Sequence, residues 1–282
     1  MEIKNILLTG SEGFIGSNVK SILVKNKFKV YCLVRKKKKN SKNIFYIKKN
    51  FLNKKCDVVI HCAAKSPENN KFHRNDYNEN ISITKTIIKY SLKYKPKKII
   101  FLSSLSVHGK IISKKVNEST KILNPDLYGK SKLFCEKMLK KLSDKVSIVS
   151  IRLPGVIGKY SVRNWLTLIL MKIKNNQSVD IYNLDQKFNN LIHVKELSLF
   201  IHKLINHEFN GYHNLYLGTK NPIKIQSIIN IFKYHLKSSI KLNVLGIKKN
   251  NFLIDYSNAK KNFNYKPTLT KKDIIRFIKE NK

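Results

Sequence analysis

A tyrosine and a lysine stand four residues apart in the segment YGKSK, at Tyr128 and Lys132. The surrounding pattern predicts a helix from about 128 to 142, so the two side chains share one helix face about a turn apart. A phenol has a reference pKa of about 10 and is a poor acid or base at neutral pH. A neighbouring ammonium favours the phenolate and moves this pKa toward the working range, which makes Tyr128 a candidate general acid or base.

Ser104 is the third candidate, at the carboxyl end of a predicted strand in KKIIFLSS, residues 97–104. Ligands of open α/β sheets bind beyond the carboxyl ends of the strands. A hydroxyl at that place can hold a substrate oxygen while a proton moves. Taken alone, a tyrosine and a lysine at this spacing are typical of an exposed helix face. Their combination with Ser104 and with a glycine-rich loop near the amino terminus favours a catalytic site.

The segment TGSEGFIGS places Gly10, Gly13 and Gly16 between a predicted strand, KNILLTG, and a predicted helix over 14–25. One glycine permits a tight turn, one lets the backbone approach a pyrophosphate, and one lets the helix pack on the strand. The helix amino terminus offers free N–H groups to the phosphates. Glycines also punctuate ordinary turns, but the strand and helix on either side favour a dinucleotide site.

The second predicted strand, FKVYCLV at residues 28–34, ends beside a run of basic residues. Sites that prefer NAD place a carboxylate at the end of this strand, where it binds the adenosine ribose. Val34 occupies that position here, so no carboxylate repels a 2′-phosphate, and Arg35 with Lys36 is placed to pair with one. The sequence therefore predicts a preference for NADP, with NAD as the alternative. The lysines at 37–39 are expected to form a solvated loop.

Short apolar runs alternate with amphipathic segments through the first half of the chain. Besides the segments above, strands are predicted near 44–47, 56–64 and 146–155, and a helix from about 78 to 94. Strands rich in Ile, Val and Leu on both faces and separated by helices indicate a parallel sheet covered on both sides. We therefore expect an α/β fold with a Rossmann-type doubly wound parallel sheet. Residues 1–155, with segments from about 185–220, are expected to form its NAD(P)-binding domain.

Beyond residue 155 this alternation breaks down. Helices are predicted around 164–174, 195–206, 222–236 and 270–280, with strands between them, notably at 211–218. No linker rich in Gly, Ser or Pro separates the two halves. We therefore expect residues 156–282 to form mainly a smaller C-terminal substrate-binding lobe.

The formal net charge of +40 would by itself favour nucleic acid or an anionic membrane as partner. The lysines are spread along almost the whole sequence among many asparagines and isoleucines, a pattern that an AT-rich genome also produces. This distribution favours a solvated basic surface over a dedicated nucleic-acid site, with only weak polyanion binding at low salt. We expect no specific nucleic-acid partner.

The four cysteines, at positions 32, 56, 62 and 135, form no C-x-x-C pair, which predicts reduced thiols. The sequence shows no metal-site spacing. The amino-terminal apolar run is too short for a signal peptide, and no segment reaches the length of a membrane span. These features predict a soluble, cytoplasmic protein with no bound metal and no membrane partner.

The glycine loop begins a series of motifs that extends through nearly the whole chain. After TGxxGFIG come DVVIHCAA, FLSSLSVHG with His108 where tyrosine is usual, YGKSK, RLPGVIG, NLIHVKEL and DYSNAKKNFNYKP. In these motifs the sequence resembles the extended short-chain dehydrogenase/reductases, often labelled the NAD-dependent epimerase/dehydratase family. The resemblance reinforces the expected fold and the assignment of Ser104, Tyr128 and Lys132.

The resemblance also implies further roles. Lys132 would hydrogen-bond the nicotinamide ribose, and Asn80 would support that lysine through water. Apart from the resemblance, His61, Cys62 and His108 are expected to be packing or supporting residues, and not a nucleophile or metal ligands. The helices at 78–94 and 128–142 would form a homodimer interface. The implied cofactor-binding residues are Gly10, Gly13, Phe14, Ile15, Gly16, Arg35, Ala63, Ala64, Asn80, Lys132 and Pro154.

The reaction follows from what the site contains. Dehydratases of this kind carry Asp-Glu just after the active-site hydroxyl residue, whereas Leu105 and Ser106 stand there in this chain, so dehydration is not expected. A reductase needs hydride transfer plus the proton from Tyr128, and the short chain favours a 4-keto reductase. A 4-epimerase with retained cofactor needs the same groups and room for the sugar to rotate. A non-catalytic NADP-binding regulatory protein is a third hypothesis, against which the intact catalytic residues argue.

A nucleoside-diphosphate sugar is the expected substrate, with a different carbonyl compound as the alternative. An arginine that binds the diphosphate in the resembling proteins is replaced by Asn189, and another arginine of those proteins is replaced by Ile254. Arg163, Asn164 and Lys187 are the candidate substitutes. Asn164 matches an asparagine that contacts the diphosphate in the resembling proteins, and an arginine can make bidentate bonds to phosphate. Together with Ser104 these residues form the predicted substrate site.

Overall fold

The computed structural model describes residues 3–35, 39–48, 52–68, 71–162, 164–246 and 252–282. The chain forms two compact groups of residues. The first consists of Met1–Gly109, Ile122–Arg152 and Leu197–Leu215, and the second of Lys110–Lys121, Leu153–Glu196 and Tyr216–Lys282. How cofactor and substrate binding are divided along the chain stays a prediction.

The helices and strands of the described ranges alternate most regularly in the first half of the chain. The strands are β1 (Asn5–Thr9), β2 (Lys29–Leu33), β3 (Ile44–Ile47), β4 (Val58–His61), β5 (Lys98–Ser104), β6 (Lys115–Val116), β7 (Ser147–Leu153), β8 (Gly155–Ile157), β9 (Val179–Ile181), β10 (Lys187–Phe188), β11 (Leu191–His193), β12 (Tyr212–Tyr216), β13 (Ile223–Lys224), β14 (Leu242–Val244) and β15 (Leu253–Ile254). The helices are α1 (Phe14–Lys25), α2 (Arg74–Tyr94), α3 (Leu127–Lys140), α4 (Trp165–Lys174), α5 (Val194–Asn206), α6 (Ile225–Leu236), α7 (Ser257–Phe263) and α8 (Thr270–Glu280), with a short 3-10 helix at Leu105–His108.

A seven-stranded sheet of order β12-β7-β5-β4-β1-β2-β3 is the centre of the first group. The pairs β1–β2, β2–β3, β1–β4 and β4–β5 are parallel. The chain therefore leaves β1 in one direction along the sheet and returns to its other side at β4. This reversal is the switch point beside which open α/β sheets bind their ligands. The expected doubly wound α/β fold is confirmed.

The core of the first group explains why these segments become strands. Strand β4 is buried along its whole length, and β5 and β7 are buried at all but one position each. Apolar side chains on both faces of a strand require cover on both sides of the sheet. Each such buried side chain stabilises the fold by about 1.5–3 kcal/mol relative to an exposed one. This burial fixes the strand ends, where the predicted site residues stand.

The second group has its own apolar core, built from α4, α6 and α8 with the short strands around them. Strand pairs β8–β11, β9–β14 and β6–β15 are parallel, and β10–β13 is antiparallel. Phe232 of α6 and Phe277 of α8 are fully buried, with their rings in an edge-to-face contact at 6.3 Å. These contacts order a part of the chain whose sequence pattern is irregular.

Two helices begin at a different place from the one that the sequence pattern predicts. Helix α2 starts at Arg74, about a turn before the expected 78, because the backbone N–H of His73 donates to Asp76 and the His73 side chain accepts from the backbone in return. Histidine is an uncommon helix cap, so the signal was missed. Helix α6 starts at Ile225 instead of about 222, because the two preceding residues pair with β10.

Three sequence expectations concern absent features. No helix in the described ranges is long and apolar enough to cross a membrane. Within the same ranges, no group of three or more His, Cys, Asp or Glu residues could hold a metal ion. The four cysteine thiols are free, and three of them are buried.

Candidate active site

The glycine loop joins β1 to α1 and depends on two glycines for its shape. Gly10 has φ +68°, and a Cβ there would lie 2.7 Å from the backbone nitrogen of Ala63. A Cβ on Gly16 would lie only 2.0 Å from the carbonyl oxygen of Gly10. Any side chain at either position would therefore push the loop away from the segment after β4 or away from α1.

Gly13 has a different role, because the protein does not need a glycine there for packing. Its φ is −76°, and an added Cβ would meet only the Gly10 carbonyl, at an ordinary contact distance of 3.5 Å. It caps α1 without any side-chain hydrogen bond to the first turn, where Phe14 and Ile15 follow. An uncapped helix start beside a residue without a side chain fits the pyrophosphate of a dinucleotide, which such N–H groups bind.

A buried hydrogen-bond chain supports this loop from behind. The Thr9 hydroxyl accepts from the Ala63 backbone N–H at 3.0 Å and lies 2.7 Å from Nδ1 of His61. Nε2 of His61 lies 3.1 Å from the hydroxyl of Thr84, which itself donates elsewhere. The histidine must then donate through Nε2 and accept through Nδ1. Burial, reinforced by the charge of Lys132, lowers the pKa of His61 to about 3, so the ring stays neutral.

Asn80 connects the segment after β4 with α3. Its Oδ1 accepts from the backbone N–H of Lys65 at 2.7 Å, and its Nδ2 donates to the Lys65 carbonyl and to the hydroxyl of Ser131. Asn80 is buried, while Ala63 and Ala64 remain accessible at the end of β4. Asn80 therefore contacts Ser131, the residue before Lys132 in α3. Its support of Lys132 through water stays a prediction.

The end of β2 carries the residues from which we predict cofactor preference. Val34 is buried, whereas the Arg35 side chain is 79% exposed and its guanidinium lies 2.7 Å from the Glu79 carboxylate. Such an exposed pair contributes little to stability. Arg35 is therefore accessible to a phosphate that can displace Glu79. Lys36 and the lysines at 37 and 38 lie outside the described residues.

Ser104 ends β5 and caps the 3-10 helix that follows. Its Oγ accepts from the backbone N–H of Ser106 and donates to the Ser106 hydroxyl, both at 3.1 Å. The side chain is only partly buried. Ser104 thus presents a positioned hydroxyl at the carboxyl edge of the sheet. Gly10, Arg35 and Ala63 lie just after the strands β1, β2 and β4, which end at the same edge.

Tyr128 lies in the first turn of α3, which Asp126 caps by accepting from the backbone N–H of Gly129 at 2.7 Å. The phenol is half-buried, and its ring meets Phe72 edge-to-face at 5.4 Å. A Cβ on Gly129 would lie 2.1 Å from the carbonyl oxygen of Ser106. The start of α3 therefore packs directly on the turn after Ser104, which brings these two candidates to one place.

Lys132 lies one helical turn after Tyr128 and is buried. Its ammonium donates to the Leu102 carbonyl at 2.7 Å and lies 4.9 Å from the centre of the Phe101 ring. Burial lowers the pKa of Lys132 to about 8, and the nearby groups of Cys135, Cys62 and Glu136 oppose this shift. The cation is thus poised to lose its proton just above neutral pH.

Sequence reasoning missed a buried ion pair beneath this site. Arg152 of β7 makes two hydrogen bonds to Glu136 of α3, at 3.1 and 2.7 Å. Glu136 also accepts from Ser103, and Arg152 lies 3.2 Å from Nε2 of His108. An arginine inside an otherwise apolar strand was the available signal, but the sequence did not show which acid it meets.

In the second group of residues, the two positions at which arginines of the resembling proteins are replaced contact each other. Asn189 accepts from the Ile254 backbone N–H at 2.8 Å and donates to the carbonyls of Ile254 and Thr219. Both Asn189 and Ile254 are buried. The Asn189 amide is therefore engaged with backbone groups of its own chain.

The predicted substrate residues of the second group, and the predicted cofactor residue Pro154, lie at different places. Asn164 caps α4, accepting from the backbone N–H of Thr167 at 3.0 Å and donating to the Val156 carbonyl. Lys187 is exposed at the start of β10, and Pro154 lies between β7 and β8. Arg163 lies outside the described residues. The roles of these four residues stay predictions.

The doubly wound sheet and the groups at its carboxyl edge define an NAD(P)-dependent enzyme of the short-chain dehydrogenase/reductase type. Residues 6–218 match the model of the NAD dependent epimerase/dehydratase family, and the chain belongs to this family.

Individual relatives match nearly the whole chain. An uncharacterised protein of Methanocaldococcus jannaschii is 24% identical, over 96% of this chain and 93% of its own length. The UDP-N-acetylglucosamine 4-epimerase of Methanobrevibacter ruminantium, solved with UDP-N-acetylmuramic acid, is 23% identical with a TM-score of 0.83, covering 100% of this chain and 99% of its own. The UDP-glucuronic acid 4-epimerase of Bacillus cereus, solved with NAD, is 21% identical with a TM-score of 0.81 and 98% coverage of each chain. At these identities the structural likeness shows the fold.

Proposed function

We propose that this protein is a nucleotide-sugar 4-epimerase, which inverts the configuration of a sugar carbon that carries a hydroxyl. The observation that carries the proposal is the packing of α3 on the end of β5. Lys132 donates to Leu102 of that strand, and Gly129 lies against the turn that follows Ser104. Tyr128 is the residue before Gly129 in α3, and these contacts support the proposal that it acts together with the Ser104 hydroxyl.

Each catalytic residue has a defined task in this reaction. Tyr128 removes the proton from the sugar hydroxyl and later returns it, which requires a phenol pKa nearer neutrality than usual. The positive charge of Lys132 stabilises the phenolate form. Ser104 holds the reacting oxygen by a hydrogen bond while its charge changes.

A bound dinucleotide supplies the hydride acceptor and donor for this reaction. Gly10, Gly13 and Gly16, with the first turn of α1, would hold its pyrophosphate, since the loop offers a close backbone approach and uncapped N–H groups. Lys132 would bind the ribose next to the reacting ring. The retained cofactor is the feature that distinguishes an epimerase from a reductase.

The sequence favoured a 4-keto reductase because the chain is short. That argument loses its weight because an epimerase can be equally short. The structural alignment with the M. ruminantium epimerase covers 100% of this chain and 99% of that chain. The relatives described as 4-epimerases therefore support epimerisation as the first candidate. Both reactions use the same three residues.

Reduction of a 4-keto sugar with NADPH remains the second candidate, and one observation favours it. Val34 replaces the acid that NAD-preferring sites carry, and Arg35 is exposed beside it. A preference for NADP would suit an enzyme that takes up NADPH and releases NADP in each turnover. We retain NADP as the proposed preferred cofactor and NAD as the alternative.

The proposed substrate is a nucleoside-diphosphate sugar. The M. ruminantium relative was solved with a UDP-linked sugar, which supports a diphosphate-containing ligand. Because Asn189 is engaged with the Ile254 backbone, we propose that Lys187 and Arg163, together with Asn164, supply the diphosphate contacts. A guanidinium and an ammonium can both bind phosphate oxygens directly.

We further propose that the protein is a homodimer through α2 and α3. Leu92 on α2 is 47% exposed and Phe134 on α3 is 45% exposed, so each helix presents a large apolar side chain to solvent. Light scattering on wild type and on a Leu92→Glu, Phe134→Glu double variant tests this assembly. A monomeric wild type at micromolar concentration would contradict it.

The test of function uses purified protein with UDP-glucose and with UDP-N-acetylglucosamine, without added dinucleotide. Proton NMR follows inversion at C4 of the sugar. Wild type should interconvert the epimers, and Tyr128→Phe should lose about 10³-fold or more of the rate, since it lacks the acid–base group. Tyr94→Phe on α2 is the matched control and should keep its activity. Substantial turnover by Tyr128→Phe would sink the assignment of the proton carrier.

A further inference from the structure

The 3-10 helix Leu105–His108 connects the two catalytic candidates. It starts directly after Ser104, whose hydroxyl accepts from the Ser106 backbone N–H at 3.1 Å. On its other side, the Ser106 carbonyl lies against Gly129, the residue next to Tyr128 in α3. A shift of this 3-10 helix would therefore move Ser104 and the start of α3 relative to each other.

The far end of the 3-10 helix is held by His108, which is completely buried. Its carbonyl accepts from the Leu123 backbone N–H at 2.8 Å, which fixes the backbone. Its Nε2 lies 3.2 Å from a terminal nitrogen of Arg152. A guanidinium has donors and no acceptor, so Nε2 must be the accepting nitrogen and the imidazole must be neutral.

Arg152 is itself fixed by an acid on another element. Its guanidinium makes two hydrogen bonds to the Glu136 carboxylate, and Glu136 also accepts from the Ser103 hydroxyl at 2.5 Å. Arg152, Glu136 and Ser103 are each at most 5% exposed. A bidentate pair in such surroundings has one well-defined geometry. The pair therefore gives His108 a rigid partner that links β7, α3 and the residue before Ser104.

We propose that His108 is a positioning residue for catalysis: as a neutral hydrogen-bond acceptor on Arg152, it anchors the 3-10 helix that aligns Ser104 with Tyr128. It touches neither substrate nor cofactor in this role. The proposal rests on the proposed function for its kinetic consequence, because the aligned residues act in proton transfer. Its structural consequence, a fixed Ser104 hydroxyl, does not depend on which reaction the protein catalyses.

The predicted defect is specific to the chemical step. Without the acceptor, the 3-10 helix loses the contact with Arg152, and we expect the Ser104 hydroxyl and Tyr128 to lose their mutual alignment. A misplacement of about 1 Å at reacting groups can cost about 100-fold in rate. The residues to which we assign cofactor and diphosphate binding do not include His108, so we expect substrate binding to be little changed.

The test compares His108→Gln with His108→Met in the full-length protein. The two side chains have similar length and volume, but only glutamine offers an acceptor near the position of Nε2. We expect kcat of His108→Gln within about threefold of wild type, and kcat of His108→Met lower by about 10- to 100-fold with KM within about twofold. His108→Phe serves as a second variant without an acceptor, and thermal unfolding shows whether each variant is folded.

Several outcomes would overturn the proposal. It fails if His108→Met keeps the kcat of wild type, if the glutamine variant loses as much kcat as the methionine variant, or if KM changes while kcat does not. It also fails if both variants without an acceptor are unfolded, because His108 would then serve folding and not alignment.

Crystal structures of the same two variants separate this proposal from the proposed function. The Ser104 hydroxyl should keep its 3.1 Å contact with the Ser106 backbone N–H in His108→Gln and lose it in His108→Met. If wild type turns over no nucleotide sugar, the proposed function fails, and the crystal structures still decide the role of His108. An unchanged Ser104 in His108→Met would contradict that role directly.

Discussion

Lys132 sets a limit on the pH at which the site can work. Burial lowers its pKa to about 8, so the ammonium loses its proton as pH rises through that value. If the cation is needed to stabilise the Tyr128 phenolate, kcat/KM must fall in the same range, since this parameter reports the ionisation of the free enzyme. We therefore expect an alkaline limb near pH 8 in the wild-type profile.

Two conservative variants on α3 check the origin of this limb. Lys132→Arg keeps a cation at high pH, because guanidinium does not deprotonate, and should show a lower but flatter profile. Lys130→Arg changes an exposed lysine two residues away and should keep the wild-type limb. A limb that persists unchanged in Lys132→Arg would show that another group titrates.

Arg35 provides a second prediction at a single residue. Its guanidinium pairs with Glu79 at 2.7 Å in an exposed setting, so a 2′-phosphate would have to compete with that carboxylate. Arg35→Ala should weaken NADP binding by about 10-fold or more, since hydrogen bonds to charged groups are worth about 1.5–3 kcal/mol, and should leave NAD binding nearly unchanged. Glu79→Gln should strengthen NADP binding. Calorimetric titration of both cofactors into protein stripped of its retained dinucleotide measures these effects, and equal affinity of wild type for NAD and NADP would refute the predicted preference.

The sequence was informative about residues whose role is local. Gly10, Ser104 and Tyr128 stand at strand or helix ends that short patterns reveal. The contact of Arg152 with Glu136, or of Asn189 with Ile254, joins positions far apart in the chain. Only the folded backbone determines such pairs, because the same residue types would be solvated if they were placed elsewhere.

At the scale of elements, buried runs were easier to predict than helix starts. Strands β1 to β5 lie where their apolar runs predicted, because burial on both faces leaves few alternatives. Helix α7 and the 3-10 helix after β5 were not predicted, since short helices have weak periodicity. The start of α2 at Arg74 depends on a capping box formed by His73 and Asp76, whereas the usual sequence signature of this motif is Ser or Thr followed three residues later by Glu or Gln.

Helix α8 contains a buried acid whose ionisation costs stability. Burial and the nearby Glu196 raise the pKa of Asp273 to about 6, although Thr268 donates a hydrogen bond to it and Arg276 lies nearby. A pKa that is higher in the folded state means that the folded state binds more protons between about pH 4 and 6. The stability that Asp273 provides is therefore present at low pH and is lost as pH rises through about 6.

Urea unfolding of wild type and Asp273→Asn between about pH 4 and 7 measures this effect. Relative to the variant, wild type should lose about 2–3 kcal/mol across the range, which corresponds to a shift of about two pKa units. Thr268→Val, which removes the hydroxyl but keeps the acid, should retain a pH dependence of the same sign. Parallel curves for wild type and Asp273→Asn would contradict the raised pKa.

At the scale of the whole molecule, the net charge of +40 predicts non-specific attraction to polyanions. Because the lysines are dispersed, this attraction should depend on counterion release and not on a defined contact surface. Binding to duplex DNA should therefore be detectable at low salt and disappear near about 150 mM salt. Fluorescence anisotropy measures it, and sequence-selective binding that survives at that salt concentration would indicate a nucleic-acid function.

The most direct test of the central claim is the dinucleotide content of the purified protein. An epimerase completes each turnover with its own cofactor, so it should retain stoichiometric NAD or NADP through gel filtration. Mass spectrometry of the denatured sample identifies and quantifies the released dinucleotide. Retained cofactor that is released on denaturation is the result we predict. A protein that is purified empty and is then saturated by added NADPH would contradict the epimerase assignment and support a reductase.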